Sequence, residues 1–431
     1  MTATDSNQIE EFIENSLVES FKTPNVESSG DLISIRSIGI IGAGTMGGGI
    51  AMNFANVGLP VKIIETNEVQ LAAGLERVRV NYQRSADRGR FPQKEVQQRM
   101  DLIKGGTSLS DLAGCDLIIE AVFENIEIKK QIFSKLDKIA KPNSILATNT
   151  SGLDINSIAG MTSRPEDVIG LHFFSPANVM KLLEIVQAKY TKPIVIRSCM
   201  QIAKKINKVP VLVGVCDGFV GNRILWARQS QAMRLVGKGV MPWDIDKALN
   251  DFGFKMGPFQ MSDLAGLDLG WSKGVKTNNP IKDALCELGR RGQKTLRGYY
   301  DYDENRTPIP SKETEKVIKA ITNVDQTTMP KEKIIETLVY PMINEALQIL
   351  QENKAQRPSD IDVVWLFGYG WPRSKGGLMF YADQIGAANI LQKMKTLSLE
   401  DKNIKISNLL SNVVRNNGKF LDLDSGGLIA T

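Results

Sequence analysis

From Ser37 onward, short apolar runs alternate with longer amphipathic ones. The runs SIGIIGAG (37–44), VKIIET (61–66), DLIIEAV (116–122), SILATNTS (144–151) and DVIGLHFF (167–174) carry Ile, Val or Leu at both odd and even positions. A strand with one wet face alternates apolar and polar residues, so runs of this kind suit strands buried on both faces, as in a parallel sheet. Between the third and fourth runs, Ile128, Ile132, Phe133, Leu136 and Ile139 recur at a spacing that gathers them on one helical face. Strand–helix–strand repetition predicts a doubly wound α/β sheet. KLLEIVQA (181–188) and VPVLVGVC (209–216) complete it, and the sheet domain is expected over residues 36–216.

The flanks read differently. Residues 1–35 form a tail with one amphipathic stretch, Ile9, Phe12, Ile13 and Leu17, expected to be a short helix packed on the body, then a polar linker, TPNVESSGD. After residue 216 the pattern is helical, broken at KMGPF and YYDYDENRTPIP. It holds a weak internal repeat. WDIDKALNDFGFKMGPFQMSDLAG (243–266) and SDIDVVWLFGYGWPRSKGGLMFYADQIG (359–386) share D-I-D, an apolar pair, F-G-[FY], a Gly or Pro turn and an Asp before a Gly. An amphipathic helix precedes each, at 222–238 and 331–352. Coincidence between two amphipathic segments is the alternative, but the preserved order of features favours duplication. Two helical copies are therefore expected, at 217–325 and 326–431. The fold class is a Rossmann-type doubly wound sheet followed by an all-helical, internally duplicated C-terminal region.

Composition narrows the partners. The 431 residues are 42% hydrophobic and 23% charged, ordinary for a globular chain of two or three domains. A net charge of +5 is too mild and dispersed to imply nucleic acid, yet suits an anionic small ligand. No 18-residue apolar run exists to span a membrane. Cys115, Cys199, Cys216 and Cys286 show no C-x-x-C spacing, which argues for a reducing compartment and against a zinc site, and no metal is expected. The acidic N-terminus lacks the features of a secretory or transit signal, and Leu428-Ile429-Ala430-Thr431 is not the S-K-L address.

IGAGTMG (41–47) closes the first predicted strand and opens a predicted helix, Met46 to Val57. In that context Gly42 permits a tight turn, Gly44 lets a pyrophosphate approach the backbone, and Gly47 lets helix and strand pack closely. Thr45 and Met46 open the helix, whose N-terminal N–H groups and partial positive charge face the phosphates. Glu65 stands about 20 residues on, at the end of the second strand. Its carboxylate can accept from both ribose hydroxyls and repels a 2′-phosphate, which favours NAD over NADP. A ligand-free glycine turn, with Glu65 as a solvated cap, is the alternative.

The chain has one histidine, His172, at the carboxyl end of a predicted parallel strand, the edge where open α/β sheets hold ligands. Ser151 ends the preceding strand at the same edge. Oxidising an alcohol needs a base for the hydroxyl proton while hydride leaves, and imidazole suits that task. Glu184 is a carboxylate inside an apolar strand and needs a partner; His172 is an available one.

Together, IGAGTMG, EAVFENIEIKKQIF, TNTSG, GLHFFSPANVMKLLEIV and DGFVGNR resemble the L-3-hydroxyacyl-CoA dehydrogenase family, in particular its peroxisomal multifunctional branch. RGQKTLRGYYDYD and DIDVVWLFGYGWPRSKGG extend the resemblance from about residue 36 to 425. It implies oxidation of an L-3-hydroxyacyl-CoA to the 3-ketoacyl-CoA by NAD in fatty-acid β-oxidation. His172 falls on the catalytic base, Glu184 on its partner, Ser151 on the serine that bonds the reacting oxygen, and Asn222 on the asparagine of the first C-terminal helix. Val122, Phe123, Glu124 and Lys129 fall in the cofactor site. Ser175, a serine shared with the peroxisomal branch, stands where many members have a cofactor-touching Asn, and Asp217 where many have Pro. Arg88, in YQRSADRGRF, is the nearest match to a CoA-binding basic residue, with a solvated basic turn as the alternative. The resemblance also implies a peroxisomal location, with the cytoplasm as alternative. Thirty-five residues are too few for the hydratase region that precedes the dehydrogenase in the multifunctional enzymes, so a one-activity relative or an excised part is expected. Two helical copies in one chain imply a monomer or weak dimer. Two other readings are a catalytically silent relative that binds NAD and acyl-CoA, and a free-acid β-hydroxyacid dehydrogenase. The four intact site residues weigh against the first, and histidine in place of the usual lysine base against the second.

Overall fold

The computed structural model describes residues 3–28 and 30–425, so the terminal Leu428–Thr431 lies outside the described residues. The chain divides into two compact units. The first takes the described parts of Met1–Arg223, with Ile349–Tyr369 and Leu423–Ser425, and the second takes Ile224–Gln348 and Gly370–Asp422.

Unit one is built on eight strands: β1 (Ile38–Ile41), β2 (Val61–Ile64), β3 (Ile103–Gly106), β4 (Leu117–Glu120), β5 (Ile145–Thr148), β6 (Val168–Phe173), β7 (Leu182–Gln187) and β8 (Val209–Gly214). Their order is β3-β2-β1-β4-β5-β6-β7-β8. All pairs are parallel except β6 with β7. Every residue of β1, β4, β5 and β6 is buried, which explains the continuous apolar runs. Strand β3 was not among the expected runs. Its sequence IKGG has one apolar side chain, and it sits at the sheet edge, where Gly105 lacks the Cβ that would stand 2.9 Å from Leu71.

Strand order reverses between β1 and β4, so their carboxyl ends leave a crevice at this switch point. Ile38, Ile40, Ile119, Ile145 and Leu171 centre the core beneath it, each at 0–1% exposure. Burying a side chain of that size contributes about 1.5–3 kcal/mol. The N-terminal helix Ala3–Ser20 buries Ile9 and Ile13, and packs against the Pro358–Gly368 helix and β8.

The helical region begins with Phe219–Gly237 and carries one small antiparallel hairpin, β9 (Tyr300–Tyr302) with β10 (Pro308–Pro310), inside YYDYDENRTPIP. The duplicated stretches give the same elements in the same order. Pro242–Phe252 and Pro358–Gly368 both start with proline in the first turn. Each leads through a glycine N-cap, Gly257 or Gly377, into a short helix, Pro258–Ala265 or Leu378–Ile385. Each short helix stops at a positive-φ glycine, Gly266 at +97° or Gly386 at +87°.

Inside unit two, the second Asp of the first D-I-D ties these helices together. Asp246 is wholly buried and accepts from Phe259 N–H (3.0 Å), Gln260 N–H (2.8 Å) and the Tyr300 hydroxyl (2.9 Å). Burial pushes its carboxyl up to about 7, against the pull of those bonds and of Arg228. Folded protein thus holds a proton that unfolded protein releases near pH 4. Across that window, stability falls as pH rises, by up to about 1.4 kcal/mol per pH unit. Thermal melts between pH 5 and pH 8 should show a shallower decline for Asp246→Asn than for the unaltered chain; parallel declines would refute this assignment. The variant's midpoint should also drop, because an amide nitrogen cannot accept the Gln260 N–H.

Candidate functional site

The turn after β1 is shaped by what its glycines lack. Gly42 has φ +100°, and a Cβ there would meet the Ala121 carbonyl at 2.7 Å. A Cβ on Gly47 would stand 1.8 Å from the Gly42 carbonyl oxygen, so only glycine lets the Thr45–Ala55 helix start this close to β1. At Gly44, by contrast, an added Cβ would meet nothing within 4 Å. Gly44 and Thr45 are exposed and Met46 partly so, leaving the first-turn N–H groups facing open space. The Glu65 carboxylate accepts from the Ala43 N–H (2.9 Å) and its neighbour's Thr66 N–H (2.8 Å), which holds it beside the turn. Open space at the one glycine where a phosphate approaches, beside an anchored acid, fits a dinucleotide.

Beyond β4 lies a chain of charges that the pattern LIIE concealed. Glu120 is fully buried and accepts from Lys129 Nζ (2.7 Å), the Thr148 hydroxyl (2.7 Å) and the Val122 N–H (2.8 Å). Lys129 is 1% exposed and also lies 3.3 Å from Glu124. Its charge therefore acts on the crevice through Glu124. Glu124 accepts from the Thr150 hydroxyl (2.6 Å), the Ser151 N–H (2.7 Å) and the Ser151 hydroxyl (3.0 Å). Burial would raise the Glu124 carboxyl, but the Thr150 bond, the Lys129 charge and the Ser151 bonds together hold it below its ordinary value. Phe123, between these groups, is 86% exposed.

His172 and Glu184 face each other because β6 and β7 form an antiparallel pair whose register sets these two residues opposite. His172 Nδ1 lies 2.7 Å from Glu184 Oε2. A carboxylate can only accept, so Nδ1 is the donor of this pair, and in the neutral ring Nε2 is the nitrogen with the lone pair. Glu184 is fully buried, and its other oxygen accepts from the Gly221 N–H at 2.9 Å, anchoring the start of the Phe219–Gly237 helix. Asn222, next along, donates from Nδ2 to the Ser151 carbonyl (3.2 Å) and accepts at Oδ1 from the Tyr369 hydroxyl (2.8 Å).

Ser151, His172, Glu184 and Asn222 thus belong to one bonded neighbourhood of unit one, at the carboxyl ends of β5 and β6. Gly42, Gly44, Thr45, Met46, Gly47, Glu65, Val122, Phe123 and Glu124 line the carboxyl ends of β1, β2 and β4. Ser175 is exposed just after β6 and joined to Pro176 by a cis bond. Arg88 is the exposed C-cap residue of the Glu68–Asp87 helix. Sequence reasoning missed Glu120 and Tyr369. For Tyr369 one signal existed, a tyrosine in F-G-Y where the first copy has F-G-F. Among the described residues, no group of three or more His, Cys, Asp or Glu could hold a metal ion.

The chain matches the 3-hydroxyacyl-CoA dehydrogenase NAD binding domain over residues 37–216 and the 3-hydroxyacyl-CoA dehydrogenase C-terminal domain over 218–302. It is 43% identical over 387 residues to the peroxisomal bifunctional enzyme of Cavia porcellus, covering 84% of this chain and 53% of that protein. It therefore spans about half the length of the curated relatives it matches. Among solved structures it is similar to 3-hydroxybutyryl-CoA dehydrogenase from Escherichia coli (TM-score 0.74, 25% identity), covering 91% of this chain and 99% of that one. It is also similar to the dehydrogenase part of multifunctional enzyme 1 from C. elegans (TM-score 0.65, 29% identity), covering 95% and 96%.

Proposed function

The chain belongs to the 3-hydroxyacyl-CoA dehydrogenase family, and from that membership we propose that it interconverts L-3-hydroxyacyl-CoA and 3-ketoacyl-CoA in fatty-acid β-oxidation. NAD is its cofactor and, when bound, accepts hydride from C3 of the substrate. The observation that carries the reading is the 2.7 Å His172–Glu184 pair, set at the same sheet edge as the glycine turn.

In the oxidising direction, His172 Nε2 takes the C3 hydroxyl proton. Glu184 holds the ring in the tautomer that leaves Nε2 free, and stabilises the imidazolium that forms. Ser151 and Asn222 hold the C3 oxygen and the thioester end, fixing the angle at which hydride leaves. The first-turn N–H groups of Thr45–Gly47 receive the pyrophosphate, Glu65 the adenosine ribose, and Val122, Phe123, Glu124 and Ser175 the remaining cofactor wall. Lys129 supports that wall through Glu124. Arg88 is the proposed CoA phosphate contact. The domain limits 36–216, 217–325 and 326–431 are proposed as the units of this assignment.

Acetoacetyl-CoA with NADH should lose absorbance at the NADH band, and much more slowly with NADPH. Absence of turnover with NADH would reject the reading. A monomer, or at most a weak dimer, is proposed, because two helical copies can bury in one chain what single-copy relatives bury between subunits. A tight dimer in sedimentation at micromolar concentration would count against it. The similarity to peroxisomal bifunctional and multifunctional enzymes supports a peroxisomal location, checked by colocalisation with a peroxisomal matrix marker.

A further inference from the structure

Asn222 sits in the proposed site with both ends of its carboxamide engaged. Its Nδ2 lies 3.2 Å from the Ser151 carbonyl oxygen and its Oδ1 lies 2.8 Å from the Tyr369 hydroxyl. A carboxamide's two ends are nearly the same shape, so its orientation follows from its partners. A backbone carbonyl can only accept. The NH2 end must therefore face Ser151, the oxygen end must face Tyr369, and the tyrosine must donate. One Nδ2 hydrogen is left over. The amide consequently offers its surroundings a donor, suited to a substrate oxygen.

Tyr369 is itself firmly placed. It follows the Pro358–Gly368 helix, 147 positions from Asn222, and belongs to unit one. Its ring stacks on the fully buried Trp365 (centroids 4.7 Å, 25°) and meets the edge of Phe174 (5.4 Å, 79°). Phe174 in turn lies 4.4 Å from the His172 ring. The ring fits because Gly221 has no side chain; a Cβ there would stand 2.3 Å from Tyr369 Cε2. The same glycine donates its N–H to Glu184. Histidine, glutamate, asparagine and tyrosine thus share one packed cluster.

We propose that Tyr369, supplied by the second helical copy, is a positioning residue that fixes the Asn222 carboxamide so that its free N–H faces an oxygen of the acyl-CoA substrate. The inference rests on the dehydrogenase reading. Without the hydroxyl, the amide keeps the Ser151 carbonyl that sets which end faces which, but loses the second contact that holds it in place and the polarisation that strengthens its remaining donor. Misplacing such a group by about 1 Å costs on the order of 100-fold in rate.

A double-mutant cycle tests this. Tyr369→Phe should lower kcat for acetoacetyl-CoA reduction by roughly 10- to 100-fold, with the NADH Kd and thermal midpoint close to the unaltered chain. In an Asn222→Ala background, the same change should alter kcat by less than about twofold, because the group it positions is gone. Full activity of Tyr369→Phe, or an equal loss in both backgrounds, overturns the proposal. Should the phenylalanine variant fail to fold, Tyr369→His and Tyr369→Leu separate the same cases, since only histidine can still donate. Higher activity in the histidine variant supports the proposal, and equal activity overturns it. No turnover by the unaltered chain would instead overturn the dehydrogenase reading, and this inference with it.

Discussion

His172→Gln should lower kcat for acetoacetyl-CoA reduction by about 10²- to 10⁴-fold, the range a positioned general acid–base contributes. Glutamine keeps the length and can donate an N–H to Glu184, so the sheet pairing that sets the two residues opposite survives. What it lacks is a ring nitrogen that can take up and release the proton. In the proposed reduction His172 would deliver the proton to the C3 oxygen, and glutamine has none to give. The NADH Kd should hold, since the glycine turn and Glu65 lie at other strand ends, and the thermal midpoint should move little. Stopped-flow and steady-state absorbance at the NADH band measure the loss. Activity within a few-fold of the unaltered chain would remove His172 from the mechanism.

Glu184→Gln should cost a comparable factor by a different route. The carboxylate accepts on both oxygens, from His172 Nδ1 and from the Gly221 N–H. An amide can accept on only one side. With its oxygen kept toward the Gly221 N–H, its NH2 faces Nδ1 and forces that nitrogen to accept. The ring proton then moves to Nε2, which is the nitrogen needed as base. A loss of about 10²- to 10⁴-fold in kcat is expected, near the 10⁴ found when a protease triad aspartate is made an amide. The volume is nearly unchanged, so the wholly buried site should stay folded. Near-normal kcat, with the variant shown to be folded, would leave Glu184 a structural residue only.

Much of this was legible because it is local or periodic. IGAGTMG carries its own geometry, and the structure gives each glycine a different reason: a positive φ, an open face and a close approach. The twelve-residue spacing of His172 and Glu184 hinted at a pair, but their contact depends on β6 and β7 running antiparallel, which no residue between them announces. Glu120 was hidden inside an apolar run, because its partners Lys129 and Thr148 come from the next helix and the next strand. Strand β3 has too little apolar content to read as a strand; its neighbours impose it. Tyr369 stood out as the tyrosine of F-G-Y, but its partner could not be read, since a hydrogen bond spanning 147 positions exists only once the chain has closed on itself.

That closure has a bearing on how the chain is made. The sheet unit is discontinuous, drawing Ile349–Tyr369 back to residues already synthesised before Arg223. During translation at about 5–20 residues per second, the 147 positions from Asn222 to Tyr369 take roughly 7–30 s to emerge. For that interval the nascent sheet has its His172–Glu184 pair but lacks Trp365, Tyr369 and the helix that packs against the N-terminal segment. The contacts that the Pro358–Gly368 helix makes with β7, β8 and the N-terminal helix can form only after that interval.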